Sequence, residues 1–284
     1  MNTLVVARFT LQEAVSRRLV LAGVLISVGY LALFALGFRL AYGFALDNAA
    51  TAQQRLGLSV AFATLTLMGV YVVNYLASFL ALFLSVGAVS GEIDAGTLHA
   101  VLARPVRRAE FLLGRWLGYA AILEVYILAM TSLVLLIARG VSGYEVPEPL
   151  PALALMLLEG VLLLTLSLLG STLLSTLANG VVVFTLLGLA WLAGVIEFIG
   201  RLLENQTMLD VGTAVSLLLP SDALWRGASY SLQSPALLAA TGAARAGVPF
   251  FSNVPIATPL VVWAVGYVVV VLGAAMLTFN RRDL

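Results

Sequence analysis

The residues able to do chemistry in this chain are few, and the missing ones are as informative as those present. There is one histidine, His99, no cysteine, and all fifteen basic residues are arginine. Without cysteine there is no disulfide, thiolate nucleophile or sulfur ligand for a metal. Without lysine there is no Schiff-base chemistry and no P-loop lysine to reach nucleotide phosphates. Such a chain carries no Walker A site, so any ATP coupled to it is hydrolysed by another polypeptide. A single histidine cannot supply the His-Glu-x-x-His of a zinc protease or the three or four convergent ligands of a metal site. It reads as a solvated loop residue rather than the base of a serine protease. A membrane aspartyl protease needs paired acids inside the bilayer, and Asp47, Asp94, Asp210, Asp222 and Asp283 all fall outside the apolar runs. Neither a catalytic residue nor a metal ligand is expected.

Three acids do fall within apolar runs. Glu124 sits near the middle of one, Glu159 in the outer half of another, and Glu197 near the outer end of a third. A charge in the bilayer costs ~2.5–3.5 kcal/mol or more, so each must face protein, water or a partner. Glu197 can pair with Arg201 at i,i+4, and Glu159 can snorkel outwards; both read as structural. Glu124 stands as the candidate lining a translocation pathway, or as the proton site of a secondary transporter.

The elements that hold these residues follow from composition. Hydrophobic residues make up 62% of the chain and charged residues 10%, at a net charge of +1. An ordinary soluble domain is about 25% charged, so this surface suits lipid rather than water. The small net charge and the lack of a basic tract point away from nucleic acid. A spanning helix needs ~20 apolar residues, and six runs qualify, at about 19–40, 60–88, 111–138, 151–176, 181–202 and 257–279. Asn179-Gly180 supplies turn chemistry between the fourth and fifth. Pro255 and Pro259 suit the start of the last. The expected fold is an all-α polytopic membrane protein, one transmembrane domain over residues 1–284.

Six spans put both termini on one side. That side would carry Arg8, Arg17, Arg18, Arg104, Arg107, Arg108, Arg115, Arg281 and Arg282, against six arginines opposite. The clusters beside spans place the termini in the cytoplasm, in a cell membrane. Residues 1–18 lack the order of a signal peptide and read as an interfacial helix on the cytosolic surface, with Glu13 and Arg17 at i,i+4. Residues 203–256 form an extracytoplasmic loop too long for a simple connection. Its apolar piece Val211–Leu219 is too short to span and reads as re-entrant or interfacial, with Trp225 and Arg226 at headgroup level. Gly114 and Gly118 make a Gly-x-x-x-Gly pattern, though small residues are common enough here for chance to produce it.

The most organised polar segment is the cytosolic loop 90–110. Asp94 or Thr97 can cap a short helix that Pro105 ends. Leu98, Val101 and Leu102 form one apolar face, flanked by Glu92 and Asp94 before it and by Arg104, Arg107 and Arg108 after it. Two turns are not stable alone in water. The helix must lean on its own bundle or on a groove in a cytosolic partner, and the pattern leaves both open.

At these residues the sequence resembles the membrane subunits of ABC-2-type ATP-binding-cassette transporters. Three stretches carry the resemblance: Ser90-Gly-Glu-Ile-Asp-Ala-Gly-Thr-Leu98 with Arg104-Pro-Val-Arg-Arg108 and Phe111-Leu-Leu-Gly-Arg-Trp-Leu-Gly118; Leu219-Pro-Ser-Asp-Ala-Leu-Trp-Arg226; and Phe279-Asn-Arg-Arg-Asp-Leu284. The layout is similar throughout the chain. One branch, the permeases associated with maturation of the copper centres of nitrous oxide reductase, shares layout and motifs. The resemblance implies a coupling helix docked on a separate cytosolic ATPase, with Glu92, Asp94, Gly96, Thr97, Leu98, Val101, Leu102, Arg104 and Arg107 as the contact region. It implies ATP and Mg bound by that partner with no cofactor in this chain, and two permeases paired, as a homodimer or with a second permease. It also implies alternating access in the direction of an exporter. The competing classes are an ion- or proton-coupled secondary transporter using Glu124, which the lack of inverted repeats disfavours, and a non-transporting scaffold.

Overall fold

The computed structural model describes residues 3–16, 18–48, 51–94, 96, 107–243 and 250–281. Every regular element among them is helical. In chain order these are α1 (Thr3–Ser16), α2 (Arg18–Asn48), α3 (Ala52–Ser85), α4 (Ser90–Asp94), α5 (Arg108–Ser142), α6 (Pro149–Leu173), α7 (Thr176–Leu202), α8 (Gln206–Leu218), α9 (Ser221–Leu232), α10 (Pro235–Ala243) and α11 (Thr258–Arg281). Among the described residues, six stretches are long and apolar enough to cross a membrane: Leu21–Ala45, Gly57–Ile93, Arg108–Ser142, Pro149–Leu173, Thr176–Leu202 and Thr258–Arg281. The chain is an all-α, polytopic membrane protein.

Local chemistry sets several helix ends. Thr51 and Gln54 form a reciprocal capping box at the start of α3, the Gln54 N–H donating to Thr51 Oγ1 at 3.3 Å and the Thr51 N–H to Gln54 Oε1 at 2.9 Å. Pro149 opens α6, where its missing N–H is no loss. Gly143, at φ 69°, closes α5 by donating its N–H to the Arg139 carbonyl.

The fourth span, α6, is the axis of the bundle. Its apolar window is 61% buried against 11% for the first span, whose outward residues Leu25, Leu33 and Phe44 lie bare for lipid. Leu162, Leu163, Leu164 and Leu168 of α6 are fully enclosed. Around this axis pack α3, α5, α9 and α11.

The break between the fourth and fifth spans falls at extended Leu174 and Ser175, not at Asn179-Gly180 as turn chemistry suggested. Asn179 is buried inside α7, and its amide donates to the carbonyls of Ser167 and Val86, each at 2.8 Å. The Val86 carbonyl lies where α3 unwinds and that of Ser167 belongs to α6, so this one amide ties α3 and α6 to α7. Gly170 leaves the space that this side chain fills.

Beyond α7 the chain reverses through Leu203–Asn205, where Glu204 takes a left-handed φ of 52°. Asn205 caps α8 by accepting from the Met208 N–H at 3.2 Å. Close approach at Gly200 to Met208 and at Gly212 to Glu197 lays α8 back along α7. Then α9 turns outwards along α6, with Asp222 near Glu159, and Gly227 against Leu155 and Ile256. Thus α8 and α9 form a hairpin dipping into the bundle. The piece 211–219, expected to be re-entrant or interfacial, lies along α7, and Trp225 and Arg226 are the two residues expected at headgroup level. Those two are 2% and 8% exposed, enclosed by protein.

The N-terminal helix is more than a surface float. Val6, Ala7, Thr10 and Ala14 of α1 are buried against the start of α5, while Leu4 and Phe9 face away. The seat is the Gly114-x-x-x-Gly118 pattern, so chance is not its explanation. A methyl group at Gly114 would lie 2.9 Å from the Thr3 carbonyl oxygen, and one at Gly118 2.9 Å from that of Ala7.

Candidate functional site

Two sites emerge, one at the end of the bundle bearing both termini and one at its centre. The first surrounds the loop 90–110. Here α3 unwinds over Val86–Val89 and resumes as α4, which carries Glu92. Gly96, at φ 68°, follows α4 and donates its N–H to the Ile93 carbonyl at 3.0 Å. Arg107 is exposed and extended just before α5. Of the other expected contact residues, Asp94 ends α4 but its side chain lies outside the described residues, as do Thr97, Leu98, Val101, Leu102 and Arg104. The short helix expected there lies outside them too.

What organises this end is Arg115, whose side chain is 7% exposed. Its guanidinium donates to the Tyr119 hydroxyl at 2.8 Å, pairs with Glu13 of α1 at 3.2 Å, forms an ion pair with Glu92, and lies 5.3 Å from the centre of the Phe111 ring. One planar cation with five donors therefore ties the N-terminal helix, the foot of the loop and the third span together. Glu13 spends its charge here; Arg17, its expected partner, lies outside the described residues. Sequence reasoning quoted Arg115 inside a motif but gave it no role. The available signal was Phe111, Arg115 and Tyr119, four residues apart on one face.

A second set of bonds holds the same foot from the other side. The Ser90 and Thr176 hydroxyls meet at 2.8 Å, and Asn179 holds Val86 as described. Arg108 donates to the carbonyls of Phe279 and Asn280 at 3.4 and 3.3 Å, a cation at the C-terminal end of α11. The loop's base is thus clamped between α1–α5 and the α6–α7 turn.

The central site gathers polar residues around α6. Glu159 is 4% exposed, and its Oε1 accepts from the Asn74 amide at 3.1 Å. Its Oε2 is buried without a hydrogen-bond partner. The expectation that Glu159 snorkels to the outer surface is therefore wrong: it points into a cavity shared with Ser78, Ser221 and Asp222. Glu159 lies ten residues beyond Pro149, about 15 Å at 1.5 Å per residue, half of the ~30 Å hydrocarbon thickness. The hairpin carries Asp222 to this depth, although Asp222 lies outside every spanning run. Sequence order concealed this, because a re-entrant turn has no apolar run of spanning length to announce it.

Asp222 is paired locally. Its Oδ2 accepts from Arg226 Nε at 2.7 Å, and Arg226 lies 3.9 Å from Glu197, which also holds Arg201 at i,i+4 as anticipated. The absence of a side chain at Gly194 leaves room for the Asp222–Arg226 pair. Glu124, the sequence candidate for a pathway, is half-buried with Oε1 lacking a hydrogen-bond partner, and it does not line the central cavity. The structure brings together Glu159 and Asp222 and leaves Glu124 apart.

A helical bundle with six helices of membrane-spanning length among the described residues is a membrane-embedded protein. The family follows from the sequence: residues 5–284 match the model of the ABC-2 family transporter protein, so the chain belongs to the ABC-2 family of transporters. That match covers the family as a whole and selects no branch within it. A search of curated proteins found no match to the chain.

Proposed function

We propose that this chain is the permease subunit of an ATP-driven exporter, coupled to a separate cytosolic ATPase that docks on the loop 90–110. In this reading the termini are cytoplasmic, the protein sits in the cell membrane, and two permeases pair around the route. ATP and Mg belong to the ATPase, and the permease moves its substrate by alternating access.

The observation that carries the reading is the Arg115 cluster. A loop serving as a mere connection needs no fixed foot. Here Glu92, at that foot, shares one cation with α1 and α5, while Ser90 is tied to the α6–α7 turn. A push on the loop is delivered to two sides of the bundle through packed helices, which suits the rocking of rigid bodies between two states.

The test is co-purification and coupled activity. The solubilised chain should retain an ABC ATPase, and Leu98→Asp with Leu102→Asp should release it and abolish transport. A chain that binds no ATPase, or a double variant that transports normally, would sink the proposal. Loss of proton-coupled flux in Glu124→Gln without any ATPase requirement would favour the secondary-transporter reading instead.

A further inference from the structure

Among the described residues, three carboxylates and two guanidinium groups gather where α9 meets α6 and α7. Arg226 faces Asp222 and Glu197, and Arg201 faces Glu197. Glu159 is the carboxylate left over, with an amide as its described partner and an unbonded Oε2. A buried carboxylate without a compensating charge is too costly to persist alone. Beside it, Ser221 is 1% exposed and its Oγ is likewise buried without a partner. Both line the same cavity, which has about 20 Å³ of room for the centre of a water-sized occupant. A space of that size holds about one water molecule or one ion of similar radius.

The rest of the lining supplies oriented polarity. Trp191 Nε1 donates to the Tyr71 hydroxyl at 3.1 Å, and Tyr71 donates to the Tyr75 hydroxyl at 3.2 Å. Ser78 is turned back on the Asn74 carbonyl at 2.9 Å. Thus α3 contributes the neutral hydroxyls of Tyr71 and Tyr75, α9 contributes Asp222 with Arg226, and α7 contributes Glu197 beyond them. Among the described residues, the lining offers a spare anionic oxygen and a spare hydroxyl and holds no cation of its own.

We propose that this cavity is a binding site for one small monovalent cation, a proton or an alkali ion, held by Glu159 Oε2 and Ser221 Oγ. The site is independent of the coupling loop and of the ATPase. Its position, at the tip of the α8–α9 hairpin, means that occupancy fixes the hairpin against α3 and α6.

The test uses the full chain in lipid nanodiscs, without ATPase, following thermal unfolding and the emission of Trp191 and Trp225, which line the cavity. Sodium, potassium and choline chlorides are compared at fixed ionic strength across a pH series. If an alkali ion is bound, the midpoint rises with the logarithm of sodium or potassium but not of choline. If a proton is bound, the folded state holds the extra proton, so stability falls as pH rises, whatever the salt. Glu159→Gln keeps an acceptor for Asn74 and removes the charge, and it should abolish either response. Ser221→Ala should weaken an alkali response several-fold. Identical salt and pH dependence in wild type and Glu159→Gln overturns the proposal, as does loss of the response in Glu124→Gln with Glu159 intact.

Discussion

The end of the bundle that bears both termini and its centre solve the same problem, burying charge, in opposite ways. At the end, one arginine collects carboxylates from distant parts of the chain: Glu13, Glu92 and Arg115 meet from three separate helices. At the centre two pairs are local, Asp222 with Arg226 and, towards the end of α7, Glu197 with Arg201, each a single helical turn apart, while the link between helices, Arg226 to Glu197, is looser at 3.9 Å. The difference lies in what is held. A local pair steadies its own helix, whereas a long-range knot ties several helices to one another.

Removing the knot should have the largest effect. Arg115→Ala removes the buried cation that Glu13 and Glu92 share, and breaking a buried pair from one side costs about 3–5 kcal/mol. Denaturation in detergent should show that loss, and hydrogen exchange should rise across residues 3–16, because α1 loses its anchor. Unchanged protection of α1 would show that the glycine seat alone holds it. Gly118→Val tests the seat directly: the added side chain meets Thr10 and the Ala7 carbonyl, and overpacking of this kind costs about 1–3 kcal/mol. Its exchange pattern should resemble that of Arg115→Ala while leaving Glu92 and Arg115 able to pair. The smallest effect belongs to Arg201→Ala at the outer end of α7. Its side chain is 46% exposed, and an exposed i,i+4 pair contributes about 0.3–0.5 kcal/mol. A loss there as large as that at Arg115 would erase the distinction between the two regions.

What the sequence disclosed follows the same division. Six spans and the Glu197–Arg201 pair were legible, because run length and i,i+4 spacing are local properties. The knot was not, since Glu13, Glu92 and Arg115 are brought together by packing that no spacing encodes. Asn179 misled for a related reason. Turn chemistry describes what Asn-Gly can do locally, whereas the structure uses Asn179 to hold two carbonyls from other segments. Glu159 and Asp222 misled through depth, because position along a span was legible but the companion delivered by the hairpin was not. The match to the ABC-2 family reaches residues 5–284. It agrees with the resemblance read from the loop 90–118, although much of that loop lies outside the described residues.

The length of the second span has a further consequence. Asn74 bonds Glu159 and so shares its depth. From there α3 continues eleven residues to Ser85, a rise of about 16 Å. Half the hydrocarbon layer is ~15 Å and the headgroups add roughly 5–8 Å. The helix therefore serves as a ruler: its end matches the edge of the hydrocarbon, and Glu92 follows beyond the break at Val86–Val89. A deletion of one turn between Ser78 and Ser85 would draw Glu92 about 5 Å inwards, into the plane of the headgroups, where lipid would compete with any protein for the loop.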